Sequence, residues 1–349
     1  MTNKKCFVFA IVLFILVCLG GCTSKQTPLK SELYVMDTHV TQQIYGSNAQ
    51  KASEAVNQRL SELEQQLSLY VSSSEIGKIN ANAGESPVKV SDFTFNLLQK
   101  GLMFSKNSGG LFDITIAPLS TLWGITAEQP KVPLENEITA ALSHVSYQNL
   151  VLDSETQTAF LKEDGMAIDL GGIAKGYFCE EIKSIYEDCH VDSALISIGG
   201  NIYTYHKKPD GTMYRLGIRN PLSDSANDLM GVLSSHDEVV ATTGTYERYF
   251  VQDGVRYHHI LDLKTGYPCD SDLISVTVVS KDGALADALS TTLFLAGKEA
   301  VSSYIDHPDF SVIVIDQDNH VYVSPALANR FTIENDTFML ADDKFEGKK

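Results

Sequence analysis

Residues 273–297, LISVTVVSKDGALADALSTTLFLAG, place a β-branched apolar run directly before a longer apolar segment. The run ISVTVVS is typical of a buried strand, because β-branched side chains are enriched in strands. The segment GALADALSTTLFLAG is long enough for a helix and predicts an apolar one. Together they predict a sheet with a helix packed against it.

Two further helices are predicted nearer the N-terminus. Within AQKASEAVNQRLSELEQQLSLY, apolar residues recur at helical spacing. These are Ala52, Val56, Leu60, Leu63 and Leu67. The second helix spans residues 92–107, and Ser91 or Asp92 opens it. Before both helices, residues 32–46 (ELYVMDTHVTQQIYG) predict one strand, although its alternation is imperfect.

Short strands and turns dominate the second half of the chain. TYERYFVQDGVRYHHILDL (245–263) contains two alternating runs about a Gln-Asp-Gly turn, which is a strong hairpin signal. YQNLVLD with TAFLKEDG, and FSVIVIDQDNHVYVSP, predict further hairpins. Strands and helices are mixed without a strict βαβ rhythm. We therefore predict an α+β fold, one large domain of mixed, largely antiparallel sheet with packed helices.

The chain begins MTNKKCFVFAIVLFILVCLGGCTSK, a positive start followed by a short apolar run. The run is too short for an ordinary spanning helix, and its LGGC ending resembles the lipobox of bacterial lipoproteins. This predicts a signal peptide over 1–21, a lipid-anchored Cys22, a polar tether over 22–31 and a folded domain over 32–340. The alternative is an uncleaved N-terminal anchor. Both readings place the domain outside the cytoplasm, at the outer face of a bacterial cell membrane.

The chain is acidic, with a formal charge of −17 that becomes −19 once Lys4 and Lys5 leave with the signal peptide. Such a charge argues against nucleic acid as a partner, because phosphates would be repelled. Beyond the signal peptide and Cys22, the cysteines are Cys179, Cys189 and Cys269. Their odd number and spacing predict neither a disulfide framework nor a zinc site.

The stretch AIDLGGIAKGYFCEEI (167–182) places Gly171 and Gly172 just before a predicted helix with Lys175 in its first turn. Glycines ahead of a helix allow backbone N–H groups to approach an anion, which the helix N-terminus also favours. The spacing matches neither the P-loop nor the dinucleotide G-x-G-x-x-G pattern. A plain glycine turn is the alternative.

The stretch ADALSTT (286–292) places Asp287 and Thr291 four residues apart, on one face of the predicted helix. A carboxylate and a hydroxyl suit a hard cation such as Mg²⁺, which retains water and takes phosphate oxygens as further ligands. The alternative is a structural hydrogen-bond network around Asp287.

The stretch HHILDLKTGYPCD (258–270) pairs His258 with His259. Adjacent histidines suit a metal site, a general base, or a strand whose residues point to opposite faces. Strand alternation favours opposite faces, so the two imidazoles would not chelate one metal together.

Taken in order, the motifs resemble the ApbE family, the FAD:protein FMN transferases. They are YVMDTHVTQQIYG, LSLYVSSSEIGKIN, GGLFDITIAPLSTLWG, IDLGGIAKGY, SIGGNI, TTGTYERYF, HHILDLKTGYP and ADALSTTLFLAG. They cover nearly all of the chain after the predicted signal peptide. Asp37 stands where the family usually has glycine, and Leu263 where it commonly has proline.

The resemblance implies an exported enzyme that binds FAD with Mg²⁺. It would transfer FMN to a Thr or Ser hydroxyl of an acceptor flavoprotein and release AMP. By the same resemblance, Asp287, Thr291 and the Gly172 carbonyl hold the metal, and His259 is the base. His258 would be structural, and Asp262 would orient either the loop or the imidazole. The positions implied for FAD binding are Met36, Tyr70, Leu111, Phe112, Asp113, Asp169, Lys175 and Ile260.

Two other functions fit the same residues. Water in place of the acceptor would make the chain an Mg²⁺-dependent FAD pyrophosphatase, and absence of turnover would make it a flavin-binding lipoprotein. By analogy with the family, the acceptor is an exported flavoprotein of a redox complex. The chain contains no acceptor motif of the Asp-Gly-x-Thr-Gly-Ala-Thr type, so we do not expect it to modify itself.

Overall fold

The structure is a computed structural model that describes residues 27–225 and 227–341. Its helices there are α1 (Ala49–Leu67), α2 (Glu75–Ala81), α3 (Asp92–Asn107), α4 (Ala117–Trp123), α5 (Glu135–Leu142), α6 (Ala174–Asp188) and α7 (Gly283–Ser302). Its first strands are β1 (Leu29–Val35), β2 (Thr38–Tyr45), β3 (Val88–Lys89), β4 (Leu150–Asp153), β5 (Thr158–Leu161), β6 (Ser193–Ile198), β7 (Asn201–Tyr205) and β8 (Tyr214–Arg219). The remaining strands are β9 (Leu229–Ser235), β10 (Glu238–Gly244), β11 (Tyr249–Gln252), β12 (Val255–His258), β13 (Leu273–Ser280), β14 (Phe310–Asp316), β15 (His320–Val323), β16 (Phe331–Ile333) and β17 (Met339–Leu340).

One sheet runs through the described chain in the order β1-β2-β6-β7-β10-β13-β14-β15-β17. Neighbouring strands are antiparallel, except that β15 and β17 are parallel. Three smaller sheets accompany it, in the orders β11-β12, β16-β9-β8 and β3-β5-β4. The predicted α+β class with a largely antiparallel sheet is confirmed.

Strand β13 explains why the sheet is covered on both faces. All eight of its residues are buried. Val276 and Val278 belong to the large core beneath the helices, whereas Val279 belongs to the core beneath β8, β9 and β16. Because side chains of a strand alternate between faces, a strand buried along its whole length must lie between two layers. The sheet therefore has helices on one face and a small sheet on the other.

Helices α6 and α7 cross at two glycines on the helical face of the sheet. A Cβ on Gly176 would lie 2.0 Å from the Gly283 carbonyl oxygen, and one on Gly283 would lie 2.2 Å from the Gly176 oxygen. Only glycine permits so close an approach of two backbones. The crossing also brings the Gly176 N–H within 2.9 Å of Asp287 Oδ2, to which it donates a hydrogen bond.

The long helices lie close to their predicted positions. Helix α3 begins after Ser91, whose Oγ accepts a hydrogen bond from the Thr94 N–H and caps the helix. The apolar stripe of α1 is buried as its spacing predicted. Helix α7 continues beyond the predicted stretch, with non-helical backbone at Gly297.

The single strand predicted over 32–46 is wrong, because the segment folds back as the β1–β2 hairpin. Val35 pairs with Thr38, which leaves Met36 and Asp37 as a two-residue turn. Both have positive φ, 54° and 50°. Tight hairpins favour such turns because their twist matches that of the strands. The imperfect alternation in the sequence marks this reversal.

The predicted signal peptide and Cys22 lie outside the described residues. Strand β1 begins at Leu29, within the segment predicted as a tether, and Leu29 pairs with Ile44. No helix in the described ranges is long and apolar enough to cross a membrane.

The α6–α7 crossing gives a stability prediction. We expect Gly176→Ala to lower the free energy of unfolding by about 1–3 kcal/mol, because the added methyl must push two backbones apart. Chemical denaturation measures this. In Gly101→Ala the three atoms nearest the new methyl would belong to the Ile114 side chain, which can shift more easily than backbone, so the loss should be smaller. Equal stability of Gly176→Ala and the wild type would contradict the tight crossing.

Candidate active site

A cavity of about 710 Å³ opens on the helical side of the sheet. This size falls within the range of small-molecule sites. Twelve residues that the sequence predicted for flavin, metal or catalysis line it, although they come from separate motifs. They are Met36, Tyr70, Leu111, Phe112, Asp113, Asp169, Gly172, Lys175, His259, Ile260, Asp287 and Thr291.

Asp287 and Thr291 lie one helical turn apart on α7 and face the same cavity. Asp287 is buried, and one of its oxygens accepts the Gly176 N–H bond. The Thr291 hydroxyl lies 3.1 Å from the Thr243 hydroxyl of β10, which in turn lies 2.8 Å from Ser290 Oγ. This chain of hydroxyls ties the face of α7 that carries Asp287 and Thr291 to the end of β10.

The residues present fit a divalent cation at Asp287. No Lys, Arg or His nitrogen of the described chain lies within 4.0 Å of this buried carboxylate. Burying an uncompensated charge is costly, so a cation nearby would stabilise it. The Thr291 hydroxyl and the Gly172 carbonyl are hard oxygen donors of the kind that Mg²⁺ prefers.

A second group of possible metal ligands lies outside the cavity. Asp316, Asp318 and His320 cluster in the turn between β14 and β15. The Lys298 ammonium already lies 2.7 Å from Asp316 Oδ2. Burial alone would raise the pKa of Asp316, but Lys298 and further hydrogen bonds hold this pKa below its ordinary value. Asp316 also accepts hydrogen bonds from the backbone of Asp318 and His320. The cluster therefore has a structural role within the hairpin.

The loop ahead of α6 is held rigid by its own polar groups. Asp169 accepts hydrogen bonds from the Gly171 N–H and from Ser120 Oγ, both at 2.8 Å. The Lys175 ammonium donates to the Gly171 carbonyl at 2.6 Å. A Cβ on Gly172 would lie 2.9 Å from the Phe112 ring, so glycine lets the loop pack against this ring. The glycine pair thus shapes the cavity rather than forming a plain surface turn.

Asp113 is at the cavity wall, but its carboxylate points away from the cavity into the protein interior. Oδ1 accepts hydrogen bonds from both the Thr115 N–H and the Thr115 hydroxyl, and Oδ2 accepts one from the Tyr147 N–H. Burial raises the pKa of Asp113 above its ordinary value, against the effect of these bonds. The Asp113 carboxylate therefore fixes the Leu111–Asp113 segment. The backbone of that segment is the part left to contact a ligand.

The turn between β1 and β2 forms another side of the cavity. The Met36 N–H donates to Glu64 Oε1 at 2.7 Å, which holds the turn against α1. Asp37 takes the left-handed backbone that explains the usual glycine there, and aspartate tolerates this region better than most residues. The left-handed turn that a glycine would form at this position is therefore retained with aspartate. Tyr70, at the mouth, is 71% exposed.

The two histidines of the HHILDLKTGYPCD motif occupy different environments. His258 ends β12 and is buried, with Nε2 3.1 Å from the Cys269 carbonyl and Nδ1 accepting the Ile260 N–H. Both of its nitrogens are occupied, so it orders the loop. His259 follows the strand and is exposed in the cavity. Its Nδ1 lies 3.3 Å from the Arg248 carbonyl, so Nδ1 carries the proton and Nε2 is a free acceptor.

Asp262 acts on the loop and not on the imidazole. Its carboxylate accepts hydrogen bonds from the Lys264 N–H and the Thr265 hydroxyl. Part of the His259 ring is exposed in the cavity, but surrounding protein atoms displace much of its water. This desolvation first, and the Arg248 charge second, lower the pKa of His259 from 6.5. His259 is neutral at neutral pH, as a general base requires.

Several lining residues were not singled out from the sequence. Ser120, Thr243 and Arg248 lie inside motifs that the sequence did mark, and Glu64 lies on the helical stripe side of α1. Their roles depend on contacts between distant segments, such as the Ser120 bond to Asp169. Only the presence of polar residues inside those motifs gave a signal.

Comparison with known proteins agrees with this arrangement. A model of the ApbE family matches residues 36–314, well over half of the chain. The chain belongs to the ApbE family. The resemblance carried by the sequence motifs is thereby confirmed.

Individual relatives of this ApbE-family chain support the assignment. The FAD:protein FMN transferase of Klebsiella pneumoniae is 34% identical over 309 residues, covering 88% of this chain and 95% of that protein. The crystal structure of the ApbE protein from Thermotoga maritima has a TM-score of 0.78 at 31% identity, covering 86% and 97% of the two chains. The flavin transferase ApbE from Vibrio cholerae has a TM-score of 0.76 at 25% identity, covering 87% and 99%.

The environment of His259 gives a prediction that needs no substrate. In an NMR titration, its ring signals should shift with a midpoint below pH 6.5, because the folded protein disfavours the imidazolium. The spectrum of His259→Gln identifies the signals. A midpoint at or above 6.5 would contradict the environment described here.

Proposed function

We propose that this chain transfers FMN from FAD to a Thr or Ser hydroxyl of an acceptor flavoprotein. The observation that carries the proposal is the convergence of twelve residues, from motifs spread over the chain, on one cavity of about 710 Å³. The names of the ApbE-family relatives support the same donor and reaction.

The reaction joins the acceptor oxygen to the phosphorus of the FMN half of FAD. The bond between this phosphorus and the bridging oxygen breaks, and AMP leaves with that oxygen. The acceptor proton passes to Nε2 of His259, whose Nδ1–H is held by the Arg248 carbonyl. A positioned base of this kind contributes about 10²–10⁴-fold to the rate. The product is a phosphoester between FMN and the acceptor side chain.

Asp287, Thr291 and the Gly172 carbonyl would hold Mg²⁺. When bound, the ion neutralises charge on phosphate oxygens. Support comes from the balance of charge in the cavity. Besides Asp113, whose carboxylate points away, five acidic residues line it, against two cationic ones, Lys175 and Arg248. The five are Asp37, Glu64, Asp169, Glu247 and Asp287. A dinucleotide would meet net repulsion there without a cation.

The apolar lining suits the flavin ring. Leu67, Phe112 and Leu295 contribute apolar surface to the cavity, and Tyr70 exposes its ring at the mouth. Aromatic rings prefer offset stacking, and Tyr70 is free to offer it to the flavin. The adjacent opening would admit an acceptor segment to His259.

The Asp287 proposal predicts loss of metal-dependent turnover. With FAD, Mg²⁺ and a peptide that carries an acceptor threonine, Asp287→Asn should lower kcat/KM by at least about 100-fold, because the buried ligand charge is lost. Mass spectrometry of the peptide measures transfer, and chromatography measures FMN and AMP. Asp318→Asn, in the surface cluster, is the matched control and should behave as wild type.

The same assay separates the alternatives. A covalent mass gain on the peptide identifies a transferase, free FMN without a modified peptide identifies a pyrophosphatase, and unchanged FAD identifies a carrier. Full transfer in EDTA would refute the role of Asp287 as a metal ligand.

We further propose that Cys22 is lipidated and holds the enzyme at the outer face of the cell membrane, where its acceptors are exported flavoproteins of redox complexes. The support is the LGGC sequence after a short apolar run. Cys22→Ser should move the protein from the detergent phase to the aqueous phase, or leave it uncleaved. Unchanged partitioning of a variant that has still lost residues 1–21 would exclude the lipid anchor.

A further inference from the structure

Arg248 stands apart from the other arginines of the chain. Arg59, Arg215, Arg219 and Arg330 each form an ion pair with a glutamate. Arg256 lies over the Tyr249 ring, 4.1 Å from its centroid. The chain has six arginines, and Arg248 is the sixth. Within the described residues, the Arg248 guanidinium has neither a carboxylate within 4.0 Å nor a hydrogen-bond partner.

Arg248 faces a cavity that is rich in carboxylates, so its lack of an ion pair is informative. The carboxylate next to it in sequence, Glu247, lies 3.8 Å from Arg219 instead. Lys175, the other cationic residue of the cavity, already donates to the Gly171 carbonyl. Among the described residues, Arg248 is therefore the cation of the cavity whose side-chain donors all remain available for a ligand.

The backbone fixes Arg248 beside the proposed base. Its carbonyl accepts hydrogen bonds from the His259 N–H at 3.1 Å and from His259 Nδ1 at 3.3 Å. Both residues thus sit at the base of the β11–β12 hairpin, held to each other. Burial raises the pKa of Tyr70, at the mouth of the cavity, and the positive charge of Arg248 opposes this rise. Arg248 therefore lines the same cavity as Tyr70 and His259 and is held next to the residue proposed to take the acceptor proton.

We propose that Arg248 binds the pyrophosphate of the flavin dinucleotide and stabilises the negative charge that develops on its oxygens during transfer. The inference rests on the proposed function. A guanidinium suits this role because its planar donors pair with two phosphate oxygens at once. Comparable arginines in phosphoryl-transfer enzymes stabilise the same developing charge.

The test compares donors with and without phosphate. Flavin fluorescence, with Mg²⁺ present and the acceptor peptide omitted to prevent transfer, gives the Kd of FAD and of riboflavin for wild type, Arg248→Ala and Arg248→Lys. Arg248→Ala should weaken FAD binding by about 10- to 100-fold and leave riboflavin binding unchanged, since one charge-assisted contact is lost. Arg248→Lys should recover part of the loss. Arg256→Ala, on the same hairpin but outside the cavity lining, should bind both flavins as wild type does.

Three results would overturn the proposal, and they differ in what else they contradict. If wild type prefers FAD over riboflavin and Arg248→Ala keeps that preference, Arg248 does not bind the phosphates, while the proposed function stands. If wild type shows no preference for FAD, the dinucleotide is not the donor and both proposals fall. Equal loss of FAD and riboflavin binding would indicate damage to the hairpin and would also exclude a phosphate-specific role.

Discussion

The hydrogen bond from the Gly176 N–H to Asp287 Oδ2 is the contact on which the site depends. It exists because two glycines let α6 and α7 approach to backbone contact. The bond spans two motifs 111 residues apart and places a buried carboxylate beside the Gly171–Gly172 loop. A larger residue at either glycine would separate the carboxylate from the loop, even if each helix stayed intact.

Hydrogen bonds connect the α6–α7 crossing to the remaining sides of the cavity. Thr291 on α7 reaches Thr243 at the end of β10, and the chain then continues through Arg248 into the β11–β12 hairpin. The hairpin closes back so that the Arg248 carbonyl holds His259. The side of the cavity that carries Asp287 and Thr291 and the side that carries Arg248 and His259 are therefore joined by one strand of the central sheet. That strand is anchored between β7 and β13, which makes the spacing of the two sides rigid.

The sequence allowed the elements with strong periodicity to be predicted, and it missed what depends on contact between distant segments. Helices α1 and α3 and the β11–β12 hairpin follow from apolar spacing, capping and turn residues. The reversal at Met36–Asp37 was missed because positive φ at non-glycine residues leaves a weak trace in composition. The site residues came from motif resemblance, but the inward role of Asp113 and the loop role of Asp262 required the hydrogen bonds. The free guanidinium of Arg248 is visible only once every other arginine has its partner.

The central claim is that His259 receives the acceptor proton in a cavity that holds FAD. The most direct measurement is single-turnover labelling of a threonine peptide by wild type, His259→Ala and His39→Ala, with FAD affinity measured in parallel. His39 is the other histidine exposed in the cavity, so it controls for loss of an imidazole. If His259 is the base, we expect His259→Ala to bind FAD normally but to label the peptide at least about 100-fold more slowly, while His39→Ala loses less than about 10-fold. Labelling by His259→Ala at the wild-type rate would contradict it.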